Sequence, residues 1–426
     1  MMRQIFLSCL LLVACDANSS FTPATKVPDV SSISEIKAKL NAFTCKHEMI
    51  PAPSAESDVL FQYARWLQKD NQLKPDGKVD AEVERLYRIA AAHDHYKANI
   101  NLQNGGMRGR FRLDGGEYLY LSQRLIDAGV ATGYYLIGVF LKQGAAGLAE
   151  DHETALGYFR KAADQGNAQA QAYLGEHLAP ISVAPEAARK MRRCAAEQGH
   201  GKAAVALGVS LKRQGIYQEA LEAFQLGVAA GEESAPGYLD KGFRGPLPDN
   251  QLHYLAQEED LERAERYKKI WRILANYSYA NPTVPEINDI LPLPPAKLPP
   301  WDGKLQWLEA RLANVAPPKP DEELIGELAK AKHLEPATGK PTPQSPAFIK
   351  NTASVPRCYS GQPCPKTGYW KASCIDKGHA WTQNDPRRFE KGEIMPTQQV
   401  TRYRQRFLLP DLKTVGEENV EWRILG

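Results

Sequence analysis

A glycine pattern recurs at a nearly constant interval in the middle of the chain, and it restricts the fold more than any other feature. Gly166, Gly199 and Gly231 each follow a helix-like stretch, and they are separated by 33 and then 32 residues. Intervals of this size are typical of proteins built from stacked pairs of helices. The pattern therefore predicts a solenoid in which each helix pair packs against its neighbours.

A second glycine recurs inside the first helix of each unit, in Ile137-Gly138, Leu174-Gly175 and Leu207-Gly208. A glycine in a helix interior costs about 1 kcal/mol relative to alanine, so its recurrence calls for a packing reason. Without a side chain, it lets the neighbouring helix approach closely. The glycine at the end of the second helix is suited to the left-handed conformation that terminates a helix.

The clearest unit is "YYLIGVFLKQGAAGLAEDHETALGYFRKAADQGN", residues 134–167, and it resembles the Sel1-like repeats, which are related to tetratricopeptide repeats. Two degenerate units follow, and a half-match precedes it at residues 86–102, so the array covers about residues 58–232. The resemblance implies a mainly α fold, a Sel1/TPR-like α-solenoid whose surface binds peptides or proteins. It says almost nothing about an activity.

The first residues have the pattern of an export signal. Arg3 precedes an apolar run over residues 5–14, which is long enough for a signal peptide and too short to span a bilayer. The following "LVAC" resembles the lipobox of bacterial lipoproteins, which implies cleavage before Cys15 and acylation of that residue. A plain secretory signal is the alternative. We expect a periplasmic protein anchored by lipid to a bacterial membrane, and Asp16 favours the inner membrane.

Six cysteines remain after removal of residues 1–14. In an exported protein disulfides persist, so we expect one disulfide within a group of three, Cys358, Cys364 and Cys374. A zinc site formed by these cysteines with His379 is the rival, but the spacing matches no compact zinc motif, so no metal site is assigned. The two remaining cysteines of the helical region either pair or pack as small apolar residues; they are Cys45 and Cys194.

Beyond the array, residues 249–280 carry apolar residues at three- and four-residue steps, which predicts a long helix. A proline string follows and must run extended. Its interleaved apolar residues suggest an arm that lies on the helical body; they are Ile290, Leu291, Leu293, Leu298 and Trp301. The alternative is a proline-rich ligand for another domain. Residues 336–346 lack large apolar side chains and are interpreted as a linker.

The last part of the chain is a different module. The stretches "TGYWKAS", "QVTRYRQRFLLP" and "NVEWRIL" are strand-like, with turns expected at "KGEIMP" and "VGEEN". If the second stretch is a strand, Arg402, Arg404 and Arg406 share one face. This basic face is either simply solvated or a docking patch for an acidic partner or lipid head groups.

The sequence predicts seven segments along the chain. The first four are a signal peptide at 1–14, a tether at 15–40, an N-terminal helical region at 41–110 and Sel1-like repeats at 111–235. They are followed by a helical region with the proline-rich arm at 236–335, a linker at 336–355 and a small disulfide-stapled β-rich module at 356–426.

The chain as a whole resembles Sel1-repeat lipoproteins with the DUF6396 region. The resemblance rests on "FTCKHE", "LFQYARWL", "RLYRIAAAH", "KANINLQ", "DLERAERY", "PLPPAKLPPWDG" and "CPKTGYW" between residues 43 and 370. Genes of such proteins often lie beside those of phospholipase effectors of the type VI secretion system. The resemblance therefore implies an immunity protein that binds and neutralises such an effector in the periplasm.

The sequence offers little chemistry for an enzyme. It has no Gly-x-Ser-x-Gly elbow, no His-Glu-x-x-His, no phosphate-binding glycine loop and no dinucleotide fingerprint. His93 and His95 are more consistent with capping or packing than with metal ligation. The net charge of +3 favours no nucleic-acid partner. We therefore expect a protein partner, no cofactor and no enzymatic activity. An adaptor for envelope assembly or signalling is the alternative function, followed distantly by a hydrolase with an unrecognised site.

Overall fold

The computed structural model describes residues 42–177, 184–348, 357–365, 367–374, 380–382, 387–406 and 409–424. The predicted signal peptide, the lipid attachment at Cys15 and the tether up to residue 40 lie outside the described residues, as does His379. Within the described ranges, no helix combines the length and the apolar character needed to cross a membrane.

Helices account for most of the described chain up to residue 331. The first eight are α1 (Ala55–Asp70), α2 (Gly77–Ala92), α3 (Tyr96–Met107), α4 (Gly115–Asp127), α5 (Thr132–Gln143), α6 (His152–Asp164), α7 (Ala168–His177) and α8 (Pro185–Glu197). They are followed by α9 (Gly201–Arg213), α10 (Tyr217–Ala229), α11 (Ser234–Gly242), α12 (Leu261–Asn276), α13 (Ile287–Ile290), α14 (Gln306–Ala313) and α15 (Glu322–Ala331), with a 3₁₀ turn at Ser278–Ala280.

Each helix from α1 to α12 packs against the next one along the chain, and from α7 onwards alternate helices also touch, α7 with α9, α8 with α10, and α9 with α11. This pattern of contacts between near neighbours is what a solenoid of stacked helix pairs requires. The predicted fold class, a mainly α solenoid, is therefore confirmed.

The glycines inside the first helices lie where neighbouring helices cross. A Cβ atom at Gly138 would be 2.8 Å from the ring of Phe159, and one at Gly208 would be 2.7 Å from the ring of Phe224. Such distances are too short for any real side chain at these positions without movement of the ring. The structure thus confirms the inference that these glycines are present because they allow neighbouring helices to pack closely.

The glycines that end the second helices also have the predicted role. Gly166, Gly199 and Gly231 have φ values of +106°, +83° and +76°. Two of them are close to another part of the chain as well. A Cβ atom would lie 2.5 Å from the carbonyl carbon of His47 at Gly166, and 1.7 Å from the carbonyl oxygen of Pro282 at Gly231. Two extended segments thus lie across successive turns of the array.

The proline-rich arm packs on the last repeats. Val284, Ile287, Leu291 and Leu305 are fully buried in the same apolar core as α9 to α12. Trp301 is partly buried against that core. The arm therefore lies on the helical body, as its interleaved apolar residues predicted.

After the arm, the chain returns to its first helices. Ile325, Ala329 and Leu334 belong to the apolar core formed by α1 to α4. Arg85 on α2 pairs with Glu322 at the start of α15, at 2.6 Å. Residues 306–321, which include only the eight-residue helix α14, join the last repeats to the first. The two ends of the array are consequently tied together by one segment.

The predicted linker at 336–346 differs from the structure, because this stretch is docked on the first helices. The Nε of Arg85 donates to the carbonyl oxygen of Pro336 at 2.7 Å. An added Cβ at Gly339 would lie 2.8 Å from Cβ of Arg88, and Ser345 is buried. The stretch is held mainly through its backbone and small side chains, so it needs no large apolar residues. For this reason its sequence resembles that of a linker.

Two element boundaries also differ from the sequence expectation. The helix expected at 249–280 begins only at Leu261, after Asp260 caps it by accepting from the N–H of Arg263, and residues 249–259 form turns and extended backbone. The helical half-match at residues 86–102 extends further than expected, because Gly105 and Gly106 continue α3 to Met107. At Gly105 the aromatic ring of Phe111 occupies the space that a side chain would need.

The C-terminal module is built from two antiparallel sheets. Its strands are β1 (Arg357–Tyr359), β2 (Gly368–Cys374), β3 (Ala380–Thr382), β4 (Arg387–Phe389), β5 (Gln398–Arg406), β6 (Leu409–Glu418) and β7 (Val420–Ile424). One sheet has the order β1-β7-β2-β4 and the other β3-β5-β6. Trp370 and Trp422 are buried in the module's core. The turn expected at "VGEEN" is wrong, because these residues complete β6 and only Asn419 separates it from β7.

Candidate functional site

A cluster of aromatic and arginine side chains lies on the surface where α12 ends and α14 begins. The rings of Tyr277 and Trp307 meet edge to face with centroids 5.8 Å apart, and Tyr277 lies 6.3 Å from Tyr279. The guanidinium of Arg311 lies 5.5 Å from the ring centroid of Tyr279 and 5.8 Å from that of Trp307. We call these four residues, Tyr277, Tyr279, Trp307 and Arg311, the aromatic–arginine patch.

Exposed apolar side chains continue this patch along α14. Leu312 is 69% exposed and Val315 is 81% exposed. None of the residues of α14 is fully buried. Leu308 packs this helix against the core of the last repeats, while Leu312 and, just beyond the helix, Val315 leave an exposed apolar surface that another molecule could cover.

The patch reaches across to the first helix of the array. The indole N–H of Trp66 on α1 donates to Oδ1 of Asn314 at 3.1 Å. Asn314, which ends α14 in the left-handed conformation, also donates to Asp70 at 3.1 Å. The ring of Trp66 in turn stacks on Tyr63. These contacts hold the C-terminal end of α14 against α1, so the helix that carries Trp307 and Arg311 joins the two ends of the array.

The composition of this surface is that of a protein-binding site. Tryptophan, tyrosine and arginine are enriched among the residues that carry most of the binding energy of protein interfaces. The cation–π contacts restrain the side chain of Arg311 before any partner binds, which lowers the entropy cost of binding. The arrangement can therefore bind another protein through rigid, amphipathic side chains.

A second notable site is the groove that holds residues 43–50, which we call the N-terminal segment. Glu48 accepts hydrogen bonds from the backbone N–H and the hydroxyl of Thr132 at 2.5 and 2.8 Å, and from Asn167 at 3.2 Å. The amide of Gln171 donates to the carbonyl oxygen of Lys46 at 2.9 Å. Gln198 accepts from the N–H of Glu48 at 2.9 Å. Side chains from successive repeats thus bind the segment as they would bind an extended peptide.

The N-terminal segment is also fastened covalently. Cys45 and Cys194 form a disulfide that joins the segment to α8 across 149 residues of sequence. The sequence left open whether these cysteines pair, and the structure shows that they do. Pairing could not be read from spacing alone, because it depends on the path of the segment across the repeats.

A cavity of about 210 Å³ lies where residues 332–347 dock on α2 and α4. Its charged lining is already paired inside the protein. Arg88 contacts both Glu84 and Glu117, and Arg124 contacts Asp94. We therefore assign this cavity to the packing of the docked segment.

The predicted basic face is only partly described. The backbone of β5 pairs regularly with β6 at Arg402 and Arg404, but the register shifts between Arg404 and Arg406, which interrupts the regular alternation expected across all three residues. Arg402 donates to both carboxylate oxygens of Glu418 on β6, at 2.7 and 2.5 Å, so this cation is already balanced. The side chains of Arg404 and Arg406 lie outside the described residues. A docking role for this face stays a prediction.

The predicted disulfide among the three late cysteines also stays a prediction, because the side chain of Cys374 lies outside the described residues. Cys358 and Cys364 are both buried in the core of the C-terminal module. Burial, with a smaller contribution from Cys364, raises the pKa of the Cys358 thiol to about 11. This thiol therefore stays protonated and unreactive at neutral pH.

The two histidines of "AHDHYK" have structural partners. His93 Nε2 lies 2.8 Å from the carbonyl oxygen of Leu328 on α15. Nδ1 of His95 accepts from the N–H of Ala98 and so caps α3, while its Nε2 lies 3.2 Å from Asp58. Burial lowers the pKa of His95, and Asp58 opposes this shift only partly. The capping and packing roles inferred from the sequence describe both residues.

Sequence reasoning missed the aromatic–arginine patch. The signal that was present is the pair of alternating tyrosines in "NYSYA" and the "QWLEARLA" of an otherwise weakly amphipathic helix. It went unnoticed because the patch joins the residues that follow α12 to residues of α14, and about thirty residues of mostly irregular chain separate the two.

Residues 235–342 match the family described as "Domain of unknown function (DUF6396)", which confirms the DUF6396 resemblance over this part of the chain. No protein with a curated description matches the chain.

Among solved structures, the chain is similar to two immunity proteins from Pseudomonas aeruginosa. Pa5087 is 26% identical over 59% of this chain and 95% of its own, with a TM-score of 0.46. PA5088 is 25% identical over 59% of this chain and 94% of its own, with a TM-score of 0.47. A Sel1 repeat protein from Oxalobacter formigenes is 19% identical over 52% of this chain and 88% of its own, with a TM-score of 0.35.

Proposed function

We propose that this protein is a periplasmic, lipid-anchored immunity protein that binds and neutralises a phospholipase effector of the type VI secretion system. The observation that carries the proposal is the aromatic–arginine patch on the surface, all four residues of which lie within the stretch 235–342 that matches DUF6396. An aromatic surface of this kind is suited to binding a protein, and the sequence resemblance supplies the identity of the partner.

The position of the patch supports neutralisation by occlusion. A typical stable interface buries about 800 Å² on each partner. The patch lies on α14 and on the end of α12, and α14 is held to α1 through Asn314. A partner seated there would contact a rigid surface, and neutralisation by occlusion requires that the interface include the active-site opening of the lipase.

Two further features support a periplasmic location. The leader at residues 1–14 has the pattern of a lipoprotein signal, with Cys15 as the acylated residue. The disulfide between Cys45 and Cys194 is of the type that persists in oxidising compartments. The acyl chains would hold the protein at the membrane where a phospholipase acts.

The test is binding between residues 16–426 and the phospholipase encoded beside the gene, measured by calorimetry together with lipid hydrolysis. Trp307→Ala and Arg311→Ala should each weaken binding by about thirtyfold or more, the effect of losing an interface hot spot. Because Trp307 and Arg311 are only partly buried, these variants should keep the fold of the wild type with at most a small drop in melting temperature, which circular dichroism checks.

Matched controls lie on the C-terminal module. Tyr359→Ala removes a surface aromatic residue that is 45% exposed, and Arg388→Ala removes an exposed arginine. Both controls should bind as the wild type does. Equal binding by the patch variants and the wild type would refute the patch as the docking site. Absence of a stable complex would count against the immunity function itself.

A further inference from the structure

Four potential metal ligands meet where the N-terminal segment crosses α8. Cys45, His47 and Cys194 each offer a sulfur or nitrogen atom, and these atoms all lie within 4.8 Å of one another. The carboxylate of Glu197 joins them, with its Oε2 3.5 Å from Nε2 of His47 and 4.0 Å from Sγ of Cys45. The sequence expectation assigned no metal ligands here.

The spacing of the four residues explains why they converge. Cys45 and His47 are two apart in an extended segment, so their side chains project to the same side. Cys194 and Glu197 are three apart in α8, so they lie on one helical face. Two thiolates, an imidazole and a carboxylate form a ligand set that suits tetrahedral Zn²⁺.

We propose that this cluster is a redox-dependent zinc site: the disulfide fastens the N-terminal segment under oxidising conditions, and Zn²⁺ bound by Cys45, His47, Cys194 and Glu197 fastens it after reduction. The inference does not depend on the proposed immunity function. A dithiol reductant would transfer two electrons and two protons to the disulfide, becoming a disulfide itself and leaving two thiols. Zn²⁺ then displaces the two thiol protons as the Zn–S bonds form.

The two states exclude each other. In the disulfide, the two sulfur atoms are bonded to each other. With Zn–S bonds of about 2.3 Å in tetrahedral geometry, the sulfur atoms would lie about 3.8 Å apart. The two sulfur atoms therefore have to move apart when Zn²⁺ replaces the S–S bond. Cys45 and His47 are exposed and lie on the segment rather than on a helix, so they can make this movement.

The rest of the segment would stay in place when the disulfide opens. The carbonyl oxygen of Lys46, between the two ligands, accepts from Gln171 at 2.9 Å. Glu48, which follows His47, is bound to Thr132 on α5. These contacts keep the four ligands near one another after reduction. Ligands that are held in place in this way bind a metal with less loss of chain entropy.

The test uses residues 16–426, reduced with a phosphine and separated from it, then titrated with Co²⁺ as a spectroscopic probe and with Zn²⁺ in competition. The oxidised protein should bind no metal at the cluster. The reduced protein should take up one Co²⁺ with the absorption of a tetrahedral thiolate complex, and Zn²⁺ should abolish that absorption.

Variants distinguish this cluster from the cysteines of the C-terminal module. His47→Ala and Glu197→Gln should each weaken metal binding by at least about tenfold. His152→Ala is the matched control, because His152 is also exposed and also contacts a glutamate, Glu150, at 2.8 Å. Zn²⁺ should raise the melting temperature of the reduced wild type but not that of the double variant Cys45→Ser/Cys194→Ser.

Each result of the Co²⁺ titrations either supports or overturns the proposed zinc site. Loss of the Co²⁺ spectrum in His47→Ala, with retention in His152→Ala, would support the proposal. A spectrum that survives unchanged in the double serine variant would place the metal on other thiols and overturn it. Failure of the reduced wild type to bind Co²⁺ or Zn²⁺ at micromolar concentration would also overturn it.

Discussion

Replacing a glycine inside the first helix of a repeat by alanine should destabilise this protein, although the same replacement stabilises most helices. Replacing a helical glycine by alanine normally stabilises a protein by about 1 kcal/mol, because alanine has the higher helix propensity. At Gly208 the added methyl group would lie 2.7, 2.8 and 2.9 Å from three atoms of the Phe224 ring. Phe224 is fully buried and stacks on Tyr238 with centroids 4.6 Å apart, so its ring has no room to move away.

Overpacking of this kind costs about 1–3 kcal/mol. After the gain in helix propensity, Gly208→Ala should lower the free energy of unfolding by up to about 2 kcal/mol. Gly326 is the matched control, since it lies inside α15 and an added Cβ would have no atom within 4 Å. Gly326→Ala should therefore stabilise the protein by about 1 kcal/mol.

The assay is urea unfolding of the two variants and the wild type, followed by circular dichroism at fixed pH and under oxidising conditions. The two substitutions should shift the midpoint in opposite directions. If Gly208→Ala were as stable as the wild type or more stable, the close approach of the helices would not be the reason for the recurring glycine. The recurring glycine would then need a cause other than close packing of the helices within each repeat.

Two further predictions concern the disulfide and the capping histidines. Cys45→Ala/Cys194→Ala should lower the free energy of unfolding by up to about 5 kcal/mol, because the disulfide closes a loop with a sequence separation of 149 residues. Calorimetry under non-reducing conditions would measure this, and an unchanged melting temperature would contradict it. His95 and His200 cap α3 and α9 by accepting backbone N–H groups at Nδ1, and burial lowers the pKa of both. In the unfolded chain both histidines have a pKa of about 6.5, so as the pH falls they are protonated in the unfolded state before they are protonated in the folded state. The free energy of unfolding should therefore be highest above that pH and should decrease as the pH falls from there through the lower pKa values of the folded protein. His95→Asn/His200→Asn keeps a capping side chain that does not titrate, and its stability should change less between pH 7 and pH 5 than that of the wild type.

Some elements of the fold were predictable because their causes are local. The glycine at the end of each second helix adopts a positive φ, and the paired small residues permit close helix packing; both requirements act within one repeat. The strands β2 and β7 were also recognisable, because alternation of apolar and polar residues is a local pattern. In contrast, the docking of residues 336–346 on α2 depends on backbone hydrogen bonds to a distant helix, which leave no pattern in the sequence of the segment.

The candidate site was predictable only in its broad character. The resemblance to DUF6396-containing Sel1-repeat proteins implied a protein-binding surface, but not its location. The basic face on β5 was the local pattern that sequence reasoning could recognise, and Arg402 on that face is already paired with Glu418. The aromatic–arginine patch requires the end of α12 to meet α14, and this contact depends on how the proline-rich arm folds back on the last repeats.

The sequence by itself determined the repeat architecture, because the spacing of glycine and alanine specifies how each helix packs on its neighbour over a short distance. Only the tertiary structure decided which distant residues come together. The disulfide of Cys45 with Cys194 and the ligand cluster around it depend on the path of the N-terminal segment across the repeats, and the contact of α14 with α1 depends on the return of the chain from the last repeats to the first. The physical reason is that neighbour contacts in a solenoid fix only the small rotation between units, and the sum of many such rotations places its two ends.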